Sequence, residues 1–190
     1  MKGIIIYQGK YGATEQYARW LGEELGFRVL NAKDIQGDTL NLYDIIILGS
    51  SVYIGKLQIA KWCKKNFSFI KNKRIFLYQV AGAPTLEVKK REDFNRQSLT
   101  TEILESCKVY YFAGRLRIGK LSWYDRFMLK MGARMTKDPV EKKSMLTDYD
   151  LVKRENTREL VSDLNSIIKA EHTKRAEEEQ PLSCSISTNL

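Results

Sequence analysis

The stretch YDIIILGSS, residues 43–51, sets three isoleucines and a leucine in one unbroken row. A strand with one wet face alternates apolar and polar residues, whereas a continuous β-branched row suits a strand covered on both faces, the usual condition of a parallel sheet. That restricts the chain to architectures with helices on both sides of a sheet. The rest of the chain follows suit. Residues 3–7 repeat the pattern, and further strand-like runs occur at 27–30, 74–80 (RIFLYQV) and 109–114 (VYYFAG). Helical spacing fills the gaps: Tyr17, Ala18, Leu21 and Leu25 after the first run, then Ile59, Cys63, Phe67 and Ile70, a polar stretch at 88–105, and Leu160, Leu164, Ile167 and Ile168 within 148–170. Gly26 is placed to end the first helix. With right-handed crossovers, this alternation predicts a doubly wound five-stranded parallel sheet of order 2-1-3-4-5.

A chain of 190 residues suits one domain rather than two. Residues 171–190 carry little apolar content and read as a tail without stable structure. Residues 115–145, between the fifth strand and the last helix, form an insert far longer than an ordinary connection in such folds.

Composition narrows the chemistry. Cys63, Cys107 and Cys184 have no CxxC or Cys/His spacing, and His172 is the sole histidine, so a zinc site, a disulfide framework and a histidine triad are all disfavoured and no metal is expected. No run reaches the roughly 20 apolar residues of a membrane span and the N-terminus has no signal-peptide pattern, which makes the expected location cytoplasmic. The net charge of +9 implies an anionic partner. No zinc finger, KH-type loop or aromatic RNP pattern accompanies it, so nucleic acid is not the expected one.

The loop after the first strand, GKYGAT, opens the first helix, where backbone N–H groups and the helix dipole attract anions. Gly9 and Gly12 permit close approach and Thr14 offers a hydroxyl. Ala13 stands where a Walker loop needs lysine, and the spacing is not GxGxxG. A plain tight turn capped by threonine is the alternative. Strand three ends in GSSVYIGK and strand four in VAGAPT, both at the carboxyl edge where open α/β sheets bind ligands. A flat ring could lie between them, with Tyr53 as a stacking face and the backbone of Ala81, Gly82 and Ala83 at its polar edge. Tyr53 as a surface aromatic at a loop tip is the alternative there.

The segments IIIYQGKYGATEQYA, YDIIILGSSVYIGK and AGRLRIGKLSWYDRFMLKMGARM, with TDYDLV after them, together resemble flavodoxin-domain proteins of the menaquinone-dependent protoporphyrinogen dehydrogenase type. The likeness covers about residues 1–170, and WYDRFM is its most specific element. It implies a flavodoxin-like fold and FMN as cofactor. The phosphate would lie on Gly9, Lys10, Tyr11, Gly12, Ala13 and Thr14. The isoalloxazine ring would lie between Ser51, Val52, Tyr53, Ile54 and Gly55 on one side and Val80, Ala81, Gly82 and Ala83 on the other. Gln8 and Gly9 stand where such loops usually begin with hydroxyl residues, leaving fewer side-chain bonds to the phosphate. Lys10 offers charge instead, although a solvated lysine is the commoner state.

Residues 108–143 hold ten Lys or Arg against three acids. Within them Leu121, Tyr124, Phe127, Met128, Met131 and Met135 recur at helical spacing beside a basic stripe of Arg126, Lys130 and Arg134. Such a face suits an anionic bilayer surface or an amphiphilic carboxylate-bearing ligand. A helix packed on the sheet with a solvated charged side is the equal alternative. Arg115, Arg117, Lys120, Trp123, Tyr124 and Arg126 are the candidates for a substrate or membrane surface. The resemblance implies oxidation of protoporphyrinogen or another reduced substrate in haem biosynthesis, with electrons passed to a quinone or a redox protein, and it leaves open a peripheral contact with the membrane's inner face. A flavodoxin-type electron carrier and an NAD(P)H:quinone or flavin reductase are the competing classes. No residue is nominated as a catalytic acid or base.

Overall fold

The isoleucine rows lie at the centre of the sheet. The computed structural model describes residues 1–82 and 88–178. In chain order the elements are β1 (Gly3–Gln8), α1 (Ala13–Leu25), β2 (Arg28–Asn31), β3 (Ile45–Tyr53), β4 (Lys56–Leu57), α2 (Ala60–Ile70), β5 (Arg74–Ala81), α3 (Val88–Ser98), α4 (Thr101–Glu105), β6 (Cys107–Ala113), β7 (Arg115–Leu116), α5 (Trp123–Met135), α6 (Pro139–Met145), β8 (Tyr149–Asp150) and α7 (Arg158–Glu178). The main sheet runs β2-β1-β3-β5-β6 with every neighbouring pair parallel. This is the predicted order, since β4 only folds back antiparallel on the end of β3.

Successive side chains on a strand point to opposite faces, and each isoleucine row therefore feeds two cores. Ile4, Ile6, Ile46 and Leu48 pack with Ile59, Cys63 and Ile70 of the α2 side. Ile5, Ile45 and Ile47 pack with Tyr17 and Leu21 of α1 and Leu160 and Leu164 of α7. All of these are essentially inaccessible to solvent. The helices after β1 and β3 thus cover opposite faces, so the sheet has its switch point between those two strands, where a crevice opens at the carboxyl edge. Tyr78 spans that edge, its hydroxyl donating to the Thr14 carbonyl at 2.9 Å.

Some boundaries differ from expectation. The polar stretch 88–105 is two helices, because Thr100 adopts an extended conformation before α4, and the break lets Leu99 and Ile103 both reach the α2-side core. Tyr149 and Asp150, expected to start the last helix, pair with β7 instead. α7 begins at Arg158 and runs past Ala170 to Glu178, tied to the sheet by an ion pair between Arg74 and Glu171. Among the described residues, no helix is long and apolar enough to cross a membrane, and no group of His, Cys, Asp or Glu could hold a metal.

Candidate functional site

Three loops meet at the carboxyl edge because the strands that feed them are neighbours in register, with Gln8 beside Ser50 and Ser51 beside Val80. In the first loop Gly12 takes a left-handed conformation (φ 83°) at the head of α1 and places no side chain on the first-turn N–H groups. Any L-residue there would be strained. The alternative of a turn capped by threonine is therefore not realised, since Gly12 is the N-cap residue. Thr14 is buried and its hydroxyl has no hydrogen-bond partner. A buried unpartnered hydroxyl is costly. Beside an uncapped helix N-terminus, it supplies what an anionic oxygen would need.

The second loop is a two-residue turn between β3 and β4, with Tyr53 opposite Lys56. Both central residues have positive φ, Ile54 at 47° and Gly55 at 71°, the pattern of a type I′ hairpin. A β-branched residue is rarely found there. The turn is braced from behind: the Ser51 hydroxyl and Gln58 side-chain oxygen are 2.6 Å apart, and the Ser50 hydroxyl accepts from the Ile59 amide at 3.2 Å. In the third loop Val80, Ala81 and Gly82 leave β5, and the Gly114 amide donates to the Ala81 carbonyl at 2.9 Å. Ala83 lies outside the described residues.

The insert forms the opposite wall. β7 and β8 form its base, where Arg117 bonds Asp150 at 2.9 Å and Arg115 approaches the same carboxylate at 3.6 Å. Ser122 caps α5 by accepting from the Asp125 amide at 3.1 Å. From the first turn of α5 the Asp125 carboxylate, only 7% exposed, reaches across to the first and second loops. It accepts from Lys10 Nζ at 2.7 Å, from the Tyr53 hydroxyl at 2.6 Å and from the Tyr11 hydroxyl. The lysine ammonium also lies 4.6 Å from the centre of the Tyr53 ring, a cation–π distance. Burial alone would raise the Asp125 carboxyl, but bonds from Lys10, Tyr11 and Tyr53 outweigh it and hold the group well below the ordinary carboxylate range. The bond to Asp125 lifts Lys10 above the usual lysine range.

Between the two walls lies a cavity of about 680 Å³, within the size range of small-molecule sites. Lys10, Tyr11, Ala13, Thr14, the loop Ser51 to Gly55, and Val80 to Gly82 line one side. The other side is mostly apolar, with Leu121, Met128, Met131, Met135 and Met145 beside the polar Asp138 and Ser144, and Tyr149 at its base. Burial pushes the Tyr149 hydroxyl up to about 12, so at neutral pH it remains a neutral donor. Gly9 and Gly12 shape the first loop without facing the cavity.

Of the residues expected to form a substrate or membrane surface, only Arg115 lines the cavity. Arg117 is engaged by Asp150. Trp123, 78% exposed, and Tyr124 lie on the outside of α5 with Lys120 and Arg126. Phe127, Met131 and Met135 do both, lining the cavity and emerging as its exposed rim. Asp125 and Tyr149 were not singled out from the sequence. The available signal for Asp125 was its position as a lone acid in the middle of WYDRFM, surrounded by basic residues.

A profile of the flavodoxin domain matches residues 4–143. The chain is 26% identical over 164 residues to the protoporphyrinogen IX dehydrogenase [quinone] of Escherichia coli strain K12, covering 80% of this chain and 91% of that protein. It is 29% identical over 128 residues to an uncharacterized protein of Methanocaldococcus jannaschii, covering 62% and 82%. Among solved structures, it is similar to two-electron reduced Megasphaera elsdenii flavodoxin (16% identity, TM-score 0.45, 58% of this chain and 83% of that one). A second is a Lactobacillus acidophilus flavoprotein in complex with FMN (19% identity, TM-score 0.39, 59% and 91%). With the profile spanning most of the chain and the sheet order agreeing with it, this protein belongs to the flavodoxin-domain family.

Proposed function

We propose that this protein is an FMN-dependent oxidoreductase that takes electrons from a reduced amphiphilic substrate of the protoporphyrinogen IX kind and delivers them to a quinone or another acceptor. FMN follows from flavodoxin-domain membership, and the cleft suits it: an unpartnered Thr14 hydroxyl and an uncapped α1 N-terminus await a phosphate. When bound, FMN supplies reversible electron transfer in one- or two-electron steps. The first loop would hold the phosphate. The loops Ser51 to Gly55 and Val80 to Ala83 would flank the ring, with Tyr53 held in place by Asp125.

The observation that carries the reading beyond a flavin carrier is the insert wall. It roofs the cleft with methionines and leaves Arg115 at the base, so the cavity offers apolar surface and a cation on the side opposite the cofactor loops. Methionine side chains adapt to large irregular apolar ligands, and Arg115 suits a carboxylate such as a propionate. Outside, the exposed rim of Phe127 and Met135 beside Arg126, Lys130 and Arg134 suits an anionic bilayer from which a lipophilic quinone would enter. On this reading the protein would work at the cytoplasmic face of a membrane.

The test is anaerobic mixing of FMN-loaded protein with protoporphyrinogen IX and, separately, with NADPH. Bleaching of the flavin band by protoporphyrinogen IX supports the reading. Bleaching by NADPH alone would make the protein a reductase, and bleaching by neither would make it a carrier. If the purified chain binds no FMN, the proposal fails at its first step.

A further inference from the structure

The insert helix α5 is held down by very little apolar packing. Only two of its residues, Asp125 and Ala133, are buried, and Phe127, Met131 and Met135 are exposed to solvent at one edge. Asp125 is instead the hub of a polar cluster that joins three separate segments. Lys10 and Tyr11 come from the loop after β1, Tyr53 from the end of β3, and the carboxylate from the first turn of α5. The Ser122 amide adds a longer contact of 3.4 Å to the Tyr11 hydroxyl. One carboxylate therefore ties the roof of the cleft to both loops on its floor.

A buried carboxylate with three donors is held tightly, and removing any one charged partner leaves the other without compensation. A 13-residue helix such as α5 is itself marginal when undocked. If the cluster opens, α5 should therefore both lift from the cleft and lose its helical protection. The cluster also engages the ammonium of Lys10, so its charge is committed to holding the wall rather than left for a phosphate.

We propose that Asp125 is a positioning residue that latches α5 as a lid over the cofactor cleft, with Lys10 as its principal partner and Tyr11 and Tyr53 as the secondary ones. The assignment of what passes beneath the lid rests on the FMN reading above; the latch itself does not.

Two variants and two readouts test it. In Asp125→Ala and in Lys10→Met, trypsin cleavage of the flavin-free chain after Arg126, Lys130 and Arg134 should accelerate about tenfold or more. Lys10→Met leaves α5 unchanged, so agreement between the two variants separates loss of the latch from damage to the helix's own capping. In stopped-flow fluorescence quenching of Asp125→Ala, FMN association and dissociation rates should both rise about tenfold, with a much smaller change in their ratio. A residue that merely supported the fold of the binding site would slow association and weaken affinity. Unchanged cleavage in both variants would overturn the latch. If the wild-type chain binds no flavin, the FMN reading falls while the cleavage result still decides the latch.

Discussion

A methyl group built on Gly9 would stand 2.6 Å from the Thr14 hydroxyl oxygen and 2.8 Å from the Thr14 Cβ. The hydroxyl could rotate aside, but the Cβ is fixed by α1, so Gly9→Ala must displace the loop. Overpacking of this kind costs about 1–3 kcal/mol, and here it acts at the phosphate end of the proposed FMN site. Gly9→Ala should fold with the same circular dichroism spectrum yet bind FMN about tenfold more weakly or worse, as read by quenching of flavin fluorescence.

Thr14→Val should separate stability from binding. The Thr14 hydroxyl is buried without a partner, and replacing an unpartnered buried hydroxyl by a methyl is neutral or stabilising by about 1 kcal/mol. In the proposed FMN site the same hydroxyl would be the side-chain donor to the phosphate. Thr14→Val should thus raise or preserve the urea midpoint of the flavin-free protein while weakening FMN binding about tenfold. A matched loss of stability and binding would show that the hydroxyl serves the fold.

These two positions mark how far the sequence was readable. Sheet order followed from local pattern, because the rows at Ile4–Ile6 and Ile45–Leu48 have no polar face to turn outward and neighbouring helices must cover both sides. The three loops were readable for the same reason, since strand order sets which loops share an edge. The Asp125 cluster was not. Its members are over 100 residues apart in two cases, and one of three acids among ten bases reads as charge balancing until the insert's path is known. The break at Thr100 and the extension of α7 to Glu178 were equally hidden, because each depends on a tertiary partner, the α2-side core in one case and Arg74 in the other.

Docking of α5 should be indifferent to pH across the neutral range. The Asp125 carboxyl is lowered on folding, so its contribution is complete above the unfolded value of about 3.9 and is lost only as pH falls through the lowered value. Lys10 is raised, so its contribution is complete below about 10.4 and is lost only as pH rises through the raised value. The bond to Asp125 raises the Tyr53 hydroxyl, which therefore stays a neutral donor over this range. Amide exchange in α5 of the flavin-free protein, corrected for intrinsic rates, should stay constant within about twofold from about pH 5 to 9. A step near pH 6 or 7 would assign the docking to another group.

Ile54 holds a left-handed conformation that its branched side chain resists. It is also largely exposed, so little buried area is forfeited on replacement. Ile54→Asn removes the branched Cβ while keeping some restriction of the unfolded chain, and should stabilise the protein by about 1 kcal/mol. A thermal midpoint that falls would show that the Ile54 side chain is packed in solution against a surface that outweighs the strain.

Trp123 and Tyr124 stand edge to face at 6.0 Å on the outside of α5, Trp123 almost wholly in solvent. Neither touches the Asp125 cluster through a side-chain bond, and substitutions at exposed positions usually change stability by less than about 0.5 kcal/mol. Beside Lys120 and Arg126 they form an aromatic and basic edge, the composition that partitions to the headgroup level of anionic membranes. The double variant Trp123→Ala/Tyr124→Ala should therefore keep wild-type stability and FMN affinity but lose about tenfold in binding to vesicles containing phosphatidylglycerol. Phosphatidylcholine vesicles should bind neither protein appreciably. If the variant binds the anionic vesicles as well as the wild type does, the exposed aromatics are not the membrane edge, and the proposed entry of a quinone beside the Met135 rim must be abandoned with them.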